Sequence, residues 1–146
     1  MSVSEPGVFE TGSSEETVAL GRRIAATLAR RAVVLLIGNL GAGKTTLAKG
    51  IINGLCGAGP DEIASPTFTL IHEYGEGRVY HIDLYRLDRP EQVATLGLEE
   101  IFDREAVVLI EWGERFPQLM PSGRIEIRLS AIGEETRRIV LEEPGD

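Results

Sequence analysis

Gly38 is followed by four unconstrained positions and then by Gly43-Lys44-Thr45, so the segment reads Gly38-Asn39-Leu40-Gly41-Ala42-Gly43-Lys44-Thr45. Each fixed residue type in this pattern has a chemical task. The glycines let backbone N–H groups turn inward around an anionic phosphate with no Cβ in the way. Lys44 can reach the outer phosphates as a compact positive charge, and the Thr45 hydroxyl can ligate Mg²⁺. The spacing therefore predicts a phosphate-binding loop.

Such a loop needs an acidic partner for the metal, and two strand-end acids compete for the role. Glu111 closes the apolar run Val107-Val108-Leu109-Ile110. Asp83 lies in Val79-Tyr80-His81-Ile82-Asp83-Leu84, where strand alternation puts Val79, His81 and Asp83 on one face. One acid can hold Mg²⁺ while the other orients the attacking water, and the residues alone leave the assignment open. Ser65-Pro66-Thr67-Phe68-Thr69 follows on a loop, as either a switch segment whose hydroxyl meets the γ-phosphate or ordinary turn chemistry. Trp112, the only tryptophan, reads as a packing or interface anchor. His72 and His81 lack metal-site spacing and read as structural. Arg137 and Arg138 are placed to touch phosphate or ribose, although solvated charge on a hairpin is the commoner role.

The loop must sit between a strand and a helix. Residues 32–37 form a continuous apolar run, the signature of a strand buried on both faces. Residues 46–52 then read as a helix whose N-terminus points at the phosphates. Upstream, Ser13 and Glu16 have capping-box spacing, and Thr17, Gly21, Ile24, Ala25 and Leu28 fall on one helical face. Gly57-Ala58-Gly59-Pro60 ends the second helix. Residues 68–74 and 78–84 predict two strands around Gly75-Glu76-Gly77. Residues 89–102 predict one helix opened by Pro90, and 106–110 a second buried strand. The alternation at Ile125, Ile127 and Leu129, then around Ile139, predicts an antiparallel hairpin at a sheet edge. The sum is an α/β fold over residues 1–146, a single P-loop domain with a mostly parallel central sheet, flanking helices and antiparallel strands including a C-terminal hairpin.

Composition limits the function. The chain has 146 residues, 42% hydrophobic and 26% charged, enough for one domain with a real core. No apolar run approaches a bilayer span, and the N-terminus carries no signal-peptide pattern, so no membrane role is expected. One cysteine, Cys56, reads as packing at a helix end, and the whole points to the cytoplasm. A net charge of −8 argues against this chain as the main nucleic-acid binder. Only two lysines occur, Lys44 and Lys49, yet one occupies the phosphate-loop position, where a planar guanidinium is no substitute. The two asparagines, Asn39 and Asn53, belong to no Asn-Lys-x-Asp guanine reader, so ATP is favoured over GTP.

Four blocks in order then resemble the bacterial TsaE family, small ATPases needed for threonylcarbamoyl modification of adenosine in tRNA. They are residues 38–46 ending in Thr46, Ser65-Pro66-Thr67-Phe68-Thr69-Leu70, His81-Ile82-Asp83-Leu84-Tyr85-Arg86-Leu87 and Ile110-Glu111-Trp112. The last two are more specific than the phosphate loop. Asn39 and Gly113 stand where the family often has Asp and Pro. The resemblance implies that Gly38, Asn39, Leu40, Gly41, Ala42, Gly43, Lys44, Thr45 and Thr46 bind ATP. It implies that Thr45 and Glu111 ligate Mg²⁺ and that Lys44 holds the phosphates. It puts Asp83 and Thr67 in the switch region, and Trp112 beside the active site or a partner. It further implies work with TsaB and TsaD, which hold the tRNA and transfer the threonylcarbamoyl group, while this chain only hydrolyses ATP.

Two other readings fit the residues. A small-molecule P-loop kinase would need an arginine-bearing lid, for which Arg86, Arg89 and Arg104 are available. A nucleotide-dependent binding module would need ATP only as a conformational switch.

Overall fold

The computed structural model describes residues 7–59, 63 and 70–143. In chain order the elements are β1 (Gly7–Thr11), α1 (Ser14–Ala25), β2 (Ala32–Ile37), α2 (Lys44–Cys56), β3 (Ile71–Tyr74), β4 (Val79–Asp83), α3 (Pro90–Ala94), α4 (Leu98–Phe102), β5 (Val107–Glu111), β6 (Ile125–Ala131) and β7 (Arg137–Glu142). Two short 3₁₀ turns, Gly113–Arg115 and Pro117–Leu119, follow β5.

The strands form one seven-stranded sheet in the order β1-β7-β6-β2-β5-β4-β3. β2 pairs parallel with both β5 and β6, and β4 pairs parallel with β5. The two strands predicted from continuous apolar runs, β2 and β5, lie at the centre of this parallel set, with β6 and β4 on either side. Antiparallel strands flank it, β3 on β4 at one side and β7 then β1 at the other. The C-terminal hairpin is therefore not at the sheet edge. β6 sits inside, against β2, and the N-terminal strand β1 covers β7. Strand periodicity marked the hairpin but carries no information about which distant strand closes its outer side.

The sheet separates two apolar layers. Leu20, Ile24, Leu47 and Ile51 from α1 and α2 pack on Val34, Leu36 and Leu109. On the other face Val93, Leu98 and Ile101 pack on Leu35, Val108 and Ile110. α1 opens as expected at Ser13, whose Oγ accepts the Glu16 N–H at 3.1 Å. Glu16 Oε1 reaches one residue further back than a capping box requires and accepts the Gly12 N–H at 2.7 Å. The helix ends at Ala25, so Leu28 lies beyond it while still packing on the same layer. α2 ends at Gly57 with φ 83°, the left-handed stop that glycine permits.

The single helix expected over 89–102 is two. Gly97 at φ 71° breaks the chain between α3 and α4, a conformation that stops helix propagation although the apolar spacing continues through it. Pro90 does open α3, and Gln92 Oε1 accepts the N–H groups of Asp88 and Arg89 at 3.0 and 3.1 Å. The expected hairpin of 68–74 with 78–84 is observed as β3 and β4; Phe68 and Thr69 lie outside the described residues.

Candidate functional site

β2, β4 and β5 run parallel, so Ile37, Asp83 and Glu111 all finish at one edge of the sheet. That edge is where open α/β sheets place their ligands. The Gly38–Thr45 loop leaves β2 there and enters α2 at Lys44. Gly38 must lack a side chain, because a Cβ would lie 2.6 Å from the Leu129 carbonyl oxygen on β6. Gly41 and Gly43 take φ of 80° and 102°, which curls the loop into an anion-sized cradle.

Lys44, only 4% exposed, donates from Nζ to the Gly38 carbonyl at 2.7 Å. Its ammonium also lies 3.5 Å from the centroid of the Trp112 ring. Burial lowers the Lys44 pKa; the nearby charges of Glu111, Glu114 and Asp83 oppose that shift. Thr45 Oγ1 donates to Glu111 Oε2 at 3.1 Å. Glu111 is 3% exposed and faces Asp83 across the β4–β5 pairing. Asp83 Oδ1 accepts the Tyr85 N–H at 2.9 Å. Burial raises the Asp83 pKa, with the Tyr85 bond acting against it and the Glu111 charge adding to it.

Lys44, Thr45, Thr46, Asp83 and Glu111 thus line a single cleft of about 530 Å³, with Trp112 in its wall. Thr67, expected nearby, lies outside the described residues, as does the whole 65–69 segment. Leu40 is exposed at the loop tip, and Ala42 is buried beneath it with its N–H on the Asn39 carbonyl at 3.0 Å.

Among the described residues no group of three or more His, Cys, Asp or Glu side chains stands together as a metal cage. The Thr45 hydroxyl beside one carboxylate is instead the sparse oxygen set that suits Mg²⁺, which keeps water and substrate phosphates as its other ligands. The residues present therefore fit that ion.

Three contributors lay beyond the sequence reading. His81 is wholly buried and donates from Nε2 to Glu111 Oε2 at 2.7 Å; periodicity gave its face but not the cross-strand partner. Arg137, for which a solvated hairpin charge is the commoner reading and phosphate or ribose contact the other, is half-buried against the loop. Its Nη2 donates to the Gly41 carbonyl at 3.3 Å, and its Nη1 bonds the carbonyls of Gly133, Glu134 and Thr136 at 3.1–3.3 Å. Arg138 is exposed, as expected. Arg115 stacks on Trp112 at 4.6 Å and Tyr85 at 5.2 Å and donates to the Tyr85 carbonyl at 2.7 Å, tying the loop after β4 to the turn after β5.

A Gly-Lys-Thr loop between a central parallel strand and a helix, with an acid opposite its threonine, defines a P-loop nucleotide-binding protein. The sequence model of the family described as "Threonylcarbamoyl adenosine biosynthesis protein TsaE" matches residues 11–139, nearly the whole chain. The chain belongs to the TsaE family. It is similar to the tRNA threonylcarbamoyladenosine biosynthesis protein TsaE of Nostoc sp. (strain PCC 7120), with 42% identity covering 94% of this chain and 86% of that protein. The protein of the same description from Bacillus subtilis is 38% identical over the same shares. Among solved structures, Bacillus subtilis YdiB superposes with a TM-score of 0.77 at 34% identity, covering 97% of this chain and 87% of that one.

Proposed function

We propose that this chain is the Mg²⁺-dependent ATPase of tRNA threonylcarbamoyladenosine biosynthesis. In this reading it is one domain acting in the cytoplasm with a TsaB–TsaD pair, and it meets tRNA only through them. The observation that carries the proposal is the convergence of Lys44, Thr45, Asp83 and Glu111 on one cleft at the sheet's carboxyl edge. The family's role in this modification supplies the context.

The backbone of residues 38–46 receives the phosphates, and Lys44 exchanges its bond to the Gly38 carbonyl for the outer phosphates. Thr45 and Glu111 hold Mg²⁺, which when bound neutralises charge developing on the phosphate oxygens. Asp83, one strand across and not bonded to Thr45, is left to orient the attacking water from the mouth of the cleft. Thr67 completes the switch side. The acidic net charge of −8 fits a component that leaves tRNA binding to its partners.

Hydrolysis by the isolated chain is expected to be slow, since P-loop enzymes without an inserted arginine forgo about 10³–10⁵ in rate. Phosphate release should accelerate when the two partners are added, and tRNA modification should then require this chain and ATP. Equal turnover alone and in the assembly would refute the coupling. Lys44→Ala and Glu111→Gln should each abolish hydrolysis; full activity in both would refute the site. A Glu111→Gln chain that binds ATP and still sustains modification would convert the reading to a nucleotide-dependent binding module.

A further inference from the structure

We propose that His81 is a positioning residue for Glu111, locking the carboxylate in the orientation from which it and Thr45 hold a divalent cation. The inference rests on the reading of the cleft as a Mg²⁺–nucleotide site. Its basis is the environment of the imidazole. His81 sits mid-strand in β4 with 0% exposure, on a sheet face otherwise supplied there by Val79 and the apolar side chains of α1 and α2.

An imidazole is an expensive choice at such a position. Nδ1 has no hydrogen-bond partner among the described residues, so one of the two ring nitrogens carries a desolvation penalty with no return. A valine or isoleucine would fill the strand without that cost. Among the described residues, the ring's one polar bond is the 2.7 Å contact from Nε2 to Glu111 Oε2. A carboxylate only accepts, so Nε2 is the donor in this contact. The same Oε2 receives the Thr45 hydroxyl at 3.1 Å. One carboxylate oxygen is therefore pinned from two sides, by a buried donor behind it and by the prospective metal-ligating hydroxyl in front.

The physical consequence is restriction of Glu111. The terminal torsion of a glutamate is broad and roughly two-fold, so an unpinned carboxylate samples several orientations. A donor fixed in the core selects one of them before the cation arrives, and outer partners of metal ligands commonly act in this way. β4 is suited to supply the donor because its pairing sets Asp83 opposite Glu111 and leaves His81, two residues earlier, one layer deeper on the same face.

The test compares nucleotide binding by the full chain with Mg²⁺ varied, using a fluorescent ADP analogue, for wild type, His81→Gln, His81→Asn and His81→Leu. Glutamine offers a neutral N–H donor at about the reach of Nε2; asparagine buries the same amide too short to reach Glu111. Asn and Leu should raise the Mg²⁺ concentration for half-maximal tightening by about 10–100-fold, with metal-free nucleotide affinity unchanged, and Gln should remain within about threefold of wild type. Thermal melting reports whether each variant is folded. The Gln–Asn pair decides the matter even if Leu fails to fold. Equal Mg²⁺ dependence in Gln and Asn, whether both normal or both impaired, overturns the role of His81 while the cleft reading stands. A wild-type chain whose nucleotide affinity ignores Mg²⁺ overturns both.

Discussion

Asp83 and Glu111 are both carboxylates at neighbouring strand ends, yet their surroundings separate their roles. Glu111 accepts from two donors, whereas Asp83 has the Tyr85 N–H and the cleft mouth. Burial is the main cause of the raised Asp83 pKa, and the Glu111 charge adds to it. The sign for stability follows from proton counts. Between the ordinary aspartate pKa and its raised folded value, the folded chain binds more protons than the unfolded one, so stability falls as pH rises through that window. Asp83→Asn should remove this slope while keeping Oδ1 as acceptor for the Tyr85 N–H. Chemical denaturation across pH should show the variant gaining on wild type as pH climbs above about 3.9, then a constant difference. A difference independent of pH would refute the assignment. Trp112 poses the complementary case of a bulky residue at φ 70°, a strained conformation held by stacking with Lys44, Tyr85 and Arg115.

At the scale of elements, the approach of α1 to α2 decides how the loop's helix is seated. Gly21 and Gly50 face each other across the contact. A Cβ on Gly21 would lie 2.6 Å from the Leu47 carbonyl oxygen, and one on Gly50 would overlap the Val18 carbonyl oxygen. Neither obstacle is a side chain that can turn away, so the helices must separate. Gly50→Ala should therefore destabilise despite alanine's better helix propensity, by about 3 kcal/mol or more, at the upper end of overpacking costs. Urea unfolding checks this, and a stabilised variant would mean that the helices are not in backbone contact. The same elements mark what the sequence made legible. β2, the loop and α2 were readable because an apolar run, fixed glycines and a helix adjoin one another in the chain. Glycines in helix interiors were visible but their purpose was not, because it depends on a partner helix. The break at Gly97 was lost under apolar spacing that runs through it. The contacts of Arg137 with Gly41 and of His81 with Glu111 span 96 and 30 residues and exist only through strand register.

Across the whole molecule, the cleft joins segments far apart in the chain: the loop after β2, the ends of β4 and β5, and the β6–β7 turn through Arg137. A ligand held by all of them binds only the folded sheet, so occupancy adds directly to global stability. At a hundredfold excess over its dissociation constant, such a ligand contributes about 2.7 kcal/mol. For a chain of this size one kcal/mol moves the melting temperature by about 2–4 °C, so ATP with Mg²⁺ should raise it by roughly 5–11 °C. Lys44→Ala should lose most of the shift at the same ligand concentration, because the phosphates lose their buried cation. Glu111→Gln should retain the part seen without Mg²⁺ and lose the increment that Mg²⁺ adds. GTP should give a smaller shift than ATP, as the missing guanine reader requires. Differential scanning fluorimetry with each nucleotide, with and without Mg²⁺, reads all of these. A wild-type melting temperature indifferent to ATP and Mg²⁺ would mean that the cleft does not bind the nucleotide its loop was built to receive.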